Sequence, residues 1–282
     1  MTVQIRTAGL VLVFGVSVLT AASAQTMLRD VITRHGVQLP GGNFERAFDE
    51  GRAPATPVTP GSFATPLAMM SSTTGNERIA AAYAFGILAG RAGRAASPPE
   101  LEAAGATLVQ MIGSTDRRSR IAGARVAGRV FTVLFDAKVY TPIPAGLVDG
   151  LFGMLNHGTE DEQLAAMDAL GRMRQTAAVA SLTERYSFYR EKRKRALAGG
   201  AIEALTRIGD RSTIPIIHLL LTDKFSNGDD ATALAIAFAR ERMLQDGSIK
   251  ILRRAVDKRS RRAQALGYLA ELGISPRRDS TR

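Results

Sequence analysis

The sequence predicts an all-α protein, laid out as a right-handed α-solenoid of about six stacked antiparallel helix pairs. Three observations carry that expectation. RIAAAYAFG (Arg78 to Gly86) and RIAGARVAG (Arg120 to Gly128) share an opening Arg-Ile, a small-residue middle and a closing Gly. The composition combines 45% hydrophobic residues with only 6% aromatics and no Trp, and Ala is abundant. Ala loses no side-chain entropy in a helix, so this mixture suits closely packed helices. No stretch alternates apolar and polar residues as a half-buried strand would, and the apolar run VFTVLF is expected to continue a helix.

Taken in order, the chain opens with MTVQIRTAGLVLVFGVSVLTAASAQ, which is expected to be a cleaved signal peptide over residues 1–24. Arg6 supplies a positive start, Ala8 to Thr20 an apolar stretch, and Ala22-Ser23-Ala24 the small residues a signal peptidase reads. The expected location is therefore a bacterial periplasm or the outside of the cell, with no transmembrane anchor left after cleavage. The chain has no Cys, which fits an oxidising compartment and excludes disulfides, thiolate metal sites and Cys nucleophiles. Residues 25–65 are expected to form a short helix, TMLRDVITRHG, stopped by Gly36, and then a Gly/Pro-rich linker or surface-hugging arm.

From Pro66 onward helix signals alternate with short polar turns. Asn76-Glu77 is placed as a cap for the first related segment. Ser97-Pro98-Pro99-Glu100 writes a capping box with Pro at the first helical position. Thr159-Glu160-Asp161-Glu162 repeats that spacing, with Arg172 and Arg174 expected in the same helix's last turn, complementing the helix dipole. Pro144 and Pro215 sit near helix starts, and Leu147, Leu151 and Leu155 recur on one face.

The closing positions set the period. Gly86, Gly128 and Gly171 end RIAAAYAFG, RIAGARVAG and QLAAMDALG at separations of about 42 and 43 residues. The same phase finds AGGAIEALT ending at Thr206, ALAIAFA at Ala239 and RSRRAQALG at Gly267, with shorter steps of about 35, 33 and 28 residues. Each recurrent segment follows a second helical stretch, so the expected unit is an outer helix, a polar turn and an Ala/Gly-rich inner helix.

PAGLVDGLFGMLNHGTEDEQLAAMDALGRM resembles a HEAT-like repeat, including the variety named after phycobilisome lyases, and places the chain with HEAT/armadillo-like folds. The resemblance covers about six units between Pro66 and Ile274, giving an expected solenoid over residues 66–275 and a basic tail over 276–282. Such a resemblance implies fold and says almost nothing of activity. The basic residue that opens the second helix stands as Arg78, Arg120 and Arg259 but as Gln163 in the best copy, and the fourth and fifth copies lack the closing Gly.

Catalytic constellations are scarce. The His residues are His35, before the Gly36 stop; His157, in a turn; and His218 in IPIIHLLL, expected in a core or groove. None shares the helix-face spacing of a zinc site, and no nucleophile elbow, Walker loop or dinucleotide fingerprint occurs. GILAGRAGRAAS is expected to be an inter-repeat loop. The carboxylate runs Glu160-Asp161-Glu162 and Asp229-Asp230 read as helix starts. No catalytic residue, cofactor or metal is assigned.

Charge carries the functional hint. The formal net charge is +11, and Gln25 to Glu184 is nearly balanced, so the excess lies in the last third. Two clusters hold it: Arg190, Lys192, Arg193, Lys194 and Arg195, interleaved with Tyr186, Phe188 and Tyr189; and Arg253, Arg254, Lys258, Arg259, Arg261 and Arg262. The leading expectation is an exported, non-enzymatic scaffold that binds a protein partner on its stacked surface. The alternative is a binder of anionic envelope lipid or polymer through those cations. Nucleic acid is disfavoured by export. An enzyme or lyase-like accessory ranks last, because no catalytic residue carries over.

Overall fold

The computed structural model describes residues 21–133 and 142–209, together with 249–250, 253–254, 256–257, 266, 269–270 and 273–276. Among these the protein is all-helical, and no strand is present. Ten α-helices are defined among the described residues: α1 (Ala21–Arg34), α2 (Phe44–Asp49), α3 (Ala64–Ser72), α4 (Gly75–Ala89), α5 (Pro98–Ile112), α6 (Arg117–Val130), α7 (Leu147–His157), α8 (Glu160–Arg172), α9 (Val179–Glu191) and α10 (Arg195–Ile208).

From α3 onward the helices pack as pairs, α3 with α4, α5 with α6, α7 with α8, and α9 with α10. The second members also pack on one another in succession, α4 on α6, α6 on α8 and α8 on α10, while α3 meets α5 and α5 meets α7. The result is two layers with a continuous apolar core between them, from Leu28 and Ile32 in α1 to Leu205 and Ile208 in α10. Pairing follows from the sequence pattern: Leu147, Leu151 and Leu155, one turn apart on α7, are all fully buried.

The closing residues of the recurrent segments are the contact points of the second layer. A Cβ on Gly128 would lie 2.9 Å from Cα of Ala169 on α8, and one on Gly171 would lie 2.8 Å from Cα of Ala204 on α10. At Gly86 it would meet Val126 of α6 at 3.2 Å and the Phe48 ring of α2 at 2.9 Å. Each partner stands two residues before the next closing position, so the register repeats at three successive interfaces. Thr206, fully buried, occupies the fourth such position and returns its hydroxyl to the Ile202 carbonyl at 2.9 Å.

Both expected capping boxes form. The Glu100 carboxylate accepts from the Ser97 N–H and hydroxyl at 2.8 Å each, and the Glu162 carboxylate accepts likewise from Thr159 at 2.7 Å. Other boundaries differ from expectation. α4 starts at Gly75 with Thr74 as its N-cap, so Asn76 lies inside the first turn. α6 stops at Val130 instead of running through VFTVLF. There Thr132 donates to the Gly128 carbonyl, and the Val133 N–H donates to the Arg172 carbonyl at 3.0 Å, which turns the chain toward the end of α8. Arg174 lies beyond the α8 C-cap, in the left-handed region at φ 51.

α1 runs through the Ala22-Ser23-Ala24 stretch and buries Ala24 with Leu28 and Ile32. It ends as expected at Gly36, whose φ of 73 suits the left-handed turn that closes a helix. Within the stretch expected as a linker the structure places the short helix α2 against α4. The segment after α2 is fastened by the buried His35 through both ring nitrogens, Nε2 to Ser62 Oγ at 2.7 Å and Nδ1 to Thr56 Oγ1 at 3.4 Å.

The glycine contacts give a paired test. Gly171→Ala is expected to destabilise by about 1–3 kcal/mol, because the new methyl overlaps backbone on α10. Gly153→Ala in α7, where a Cβ has nothing within 4 Å, is expected to stabilise by about 0.5–1 kcal/mol. Urea unfolding midpoints of the two variants should move in opposite directions.

Candidate functional site

The turns joining the members of the first three pairs share a fastening device. Arg78 Nε donates to the Thr73 carbonyl at 2.7 Å, and Arg120 Nη1 donates to the carbonyls of Ser114 (2.7 Å) and Thr115 (2.9 Å). Gln163 occupies the equivalent place, and its Nε2 donates to the Gly158 carbonyl at 2.8 Å. The departure from Arg has a local reason. The buried Tyr189 hydroxyl of α9 donates to Gln163 Oε1 at 2.8 Å, and a guanidinium has no acceptor to offer it.

Successive turns are then tied to one another. Arg118 donates to Asn76 Oδ1 at 3.0 Å, Arg117 pairs with Asp161, Arg120 with Glu162, and Lys194 Nζ with Glu160 at 2.9 Å. This edge therefore alternates in charge: basic at the α5–α6 turn, acidic at α7–α8 and basic again at α9–α10. Glu162 is its buried member, with a side chain 2% exposed. Burial pushes its carboxyl up, but hydrogen bonds from Arg120 and Thr159 outweigh that and hold it below the ordinary glutamate value.

The α9–α10 turn holds the first basic cluster, and all five cations are exposed. Arg190 stands in the last turn of α9, where a cation complements the helix dipole. Arg193, Lys194 and Arg195 occupy locally disfavoured positions. Arg193 has φ 56, in the left-handed position of a closing turn where its N–H bonds the Arg190 carbonyl and the Lys194 N–H bonds the Tyr189 carbonyl. Gly is the residue that fits there; a side chain costs about 1–2 kcal/mol. Lys194 is the N-cap of α10 without a side-chain capping bond, and Arg195 is its first residue, so two cations sit at the positive end of a helix. Lys192, 6.0 Å from the centre of the exposed Phe188 ring, adds a cation beside an apolar face.

Of the second cluster, Arg253 donates to the Ser275 carbonyl at 3.0 Å and Arg254 is exposed. Lys258, Arg259, Arg261 and Arg262 lie outside the described residues, as do His218, Asp229-Asp230 and Pro215. His157 is the exposed last residue of α7. Among the described residues no group of three or more His, Asp or Glu could hold a metal ion, and no helix is long and apolar enough to cross a membrane.

The face of the second layer carries a stripe that the sequence analysis did not single out. Tyr83, Arg125, Asp168 and Glu203 each stand three residues before a closing position; Arg129, Arg172 and Arg207 each stand one after it. Asp168 accepts from Arg172 Nε at 2.7 Å and pairs with Arg207, which also pairs with Glu203. Arg125 pairs with Glu45 and Asp49 of α2 and donates to the Tyr83 hydroxyl at 3.2 Å. Arg129 has no carboxylate partner among the described residues; burial, with Arg172 nearby, lowers its pKa below the ordinary arginine value. Burial raises the Tyr83 phenol. The signal was present in the period: reading the repeats three before and one after each Gly lines up these residues.

No protein-family model matches this chain, and no curated protein matches it.

Because the Glu162 carboxyl is held low in the fold, the stability it contributes is present above the unfolded value and is lost as pH falls through the folded one. Glu162→Gln is expected to destabilise at neutral pH by about 1–3 kcal/mol. Its difference from the unaltered chain should shrink below about pH 4, read from melting temperatures across an acid titration.

Proposed function

We propose that this chain is an exported, non-enzymatic scaffold of HEAT-like repeats that binds a protein partner on the face of its second-layer helices. The observation that carries the reading is the repeated register of Gly128 on Ala169 and Gly171 on Ala204, which sets successive helices side by side as one surface. The same phase recurs at Ala239 and Gly267, so the proposed array continues to about six pairs. The stripe of Arg172, Asp168, Arg207 and Glu203 across α8 and α10 gives this face charges that fix a partner's orientation. The test is photocrosslinking in envelope extract of the producing organism, with the probe at Arg172 or Arg207 on this face or at exposed Glu102 on α5. One protein captured from the first two positions and not from Glu102 is the expected result; equal labelling from all three contradicts it.

A second reading is favoured by the α9–α10 turn: an anionic envelope lipid or polymer bound by its cations. Three adjacent residues are basic where the backbone and the helix dipole disfavour them, and such local conflicts concentrate at functional positions. Arg193→Gly is expected to raise stability by about 1 kcal/mol while weakening cosedimentation with phosphatidylglycerol vesicles. That binding should vanish by about half-molar salt, where screening acts within a few ångströms. Vesicle binding unchanged by Arg193→Gly and by salt contradicts the reading.

A further inference from the structure

Phe188, in the last turn of α9, is one of two large apolar side chains left exposed among the described residues, at 44%. A single exposed ring is ordinary on a protein surface. This one is set apart by its support and its surroundings. Its ring meets that of Tyr189 edge-on, with 5.8 Å between centres. Tyr189 is 1% exposed and its hydroxyl is fixed to Gln163 of α8 at 2.8 Å, so Phe188 projects from a neighbour anchored in the core. Lys192, one turn on, holds its ammonium 6.0 Å from the Phe188 ring centre. The segment from Arg185 to Arg195 carries six cations and one carboxylate, Glu191, which Lys192 meets at 3.6 Å. Lys194 reaches back to Glu160 at 2.9 Å, and Arg185 donates to the Asn156 carbonyl at 3.1 Å. No carboxylate among the described residues pairs with Arg193 or Arg195, and both are exposed. The tip of α9 therefore presents a supported aromatic ring ringed by cations in excess of their local acids.

We infer that this tip docks on an anionic lipid bilayer, with Phe188 inserted between the headgroups and Arg190, Lys192, Arg193 and Arg195 on the lipid phosphates around it. The inference rests on the second reading above and deepens it by choosing lipid over polymer. A soluble anionic polymer satisfies the cations and leaves the ring in water. A bilayer offers phosphates and, directly beneath them, hydrocarbon, so it satisfies both. The side chains present suit those two depths. Lys and Arg stems lie along apolar surface while their charged heads stay at the phosphate level, and each guanidinium can hold a phosphate by two parallel N–H bonds. The contact is confined to the tip, because Glu184, one turn before Phe188 on α9, is an exposed acid. One ring does not hold a chain of this size at a membrane by itself. Insertion therefore depends on the cations, and salt that screens them releases the ring as well.

The chain contains no Trp, so Phe188→Trp places a single indole fluorophore where the ring stands. Glu102→Trp, at an exposed position on α5, reports whether another part of the chain meets the lipid. With phosphatidylglycerol vesicles, emission from Phe188→Trp should move to shorter wavelength and be quenched by lipids brominated on their acyl chains. Emission from Glu102→Trp should do neither, and phosphatidylcholine vesicles should leave both unchanged. Phe188→Ser should weaken cosedimentation with phosphatidylglycerol vesicles at least tenfold while the chain still melts cooperatively. Cosedimentation that responds to salt and to Arg193→Gly, with Phe188→Trp emission unmoved, overturns insertion and leaves the second reading standing. Binding to soluble dextran sulfate without cosedimentation with vesicles also overturns insertion, in favour of a polymer. Binding to neither removes the insertion and the second reading together.

Discussion

The closest approach in the second layer is the constraint on which the rest of the fold depends. Gly128 and Gly171 place one helix backbone against the next with no side chain between, and the neighbours at those points, Ala169 and Ala204, are nearly as small. Helices brought that near must keep bulk off one line and put it elsewhere. The large buried side chains accordingly flank the contact, as Met167 and Leu170 do on α8 and Leu205 does on α10. Interiors are packed closely enough that a single methyl group in the wrong place is felt. The polar devices along the turns, from Arg78 to Gln163, then hold the first three pairs in the register that the small residues permit.

Two edges of the same stack behave differently in charge. Along the turns, cations and carboxylates alternate between units and satisfy one another as far as the α9–α10 turn, where Lys192 pairs with Glu191 and Lys194 with Glu160. On the open face the charges are mostly shared within and between helices, through Asp168 above all. Arg125 and Arg129 are exceptions, because their acceptors come from α2, a segment outside the paired helices.

Much of this was legible in the residues. Helix starts with two matched polar signals, as at Ser97–Glu100 and Thr159–Glu162, were readable because the capping bond is local. The Gly period was readable because it repeats. Helix ends were less so: VFTVLF has the composition to continue α6, yet a backbone bond to Arg172, some forty residues away in sequence, turns it aside. α2 was hidden because Gly41, Gly42, Gly51 and Pro54 surround it, and its six residues are helical only against α4 and α6. The exchange of Arg for Gln at 163 looked like a weakened copy, and only Tyr189 explains it. The stripe on the open face was encoded in the alignment, but its pairing depends on which helices are neighbours.

The register also separates two quantities that a chain of repeats must control, the pitch of the stack and the amount of polypeptide in each unit. From Gly128 to Ala169 and from Gly171 to Ala204 the sequence distance shrinks by about eight residues, yet the contact is of the same kind and closeness. Spacing between helices is set by atoms at the touching points, so the connecting chain is free to lengthen or shorten without altering it. Such a fold can acquire or lose loop material, unit by unit, while the dimensions of the surface it presents stay constant.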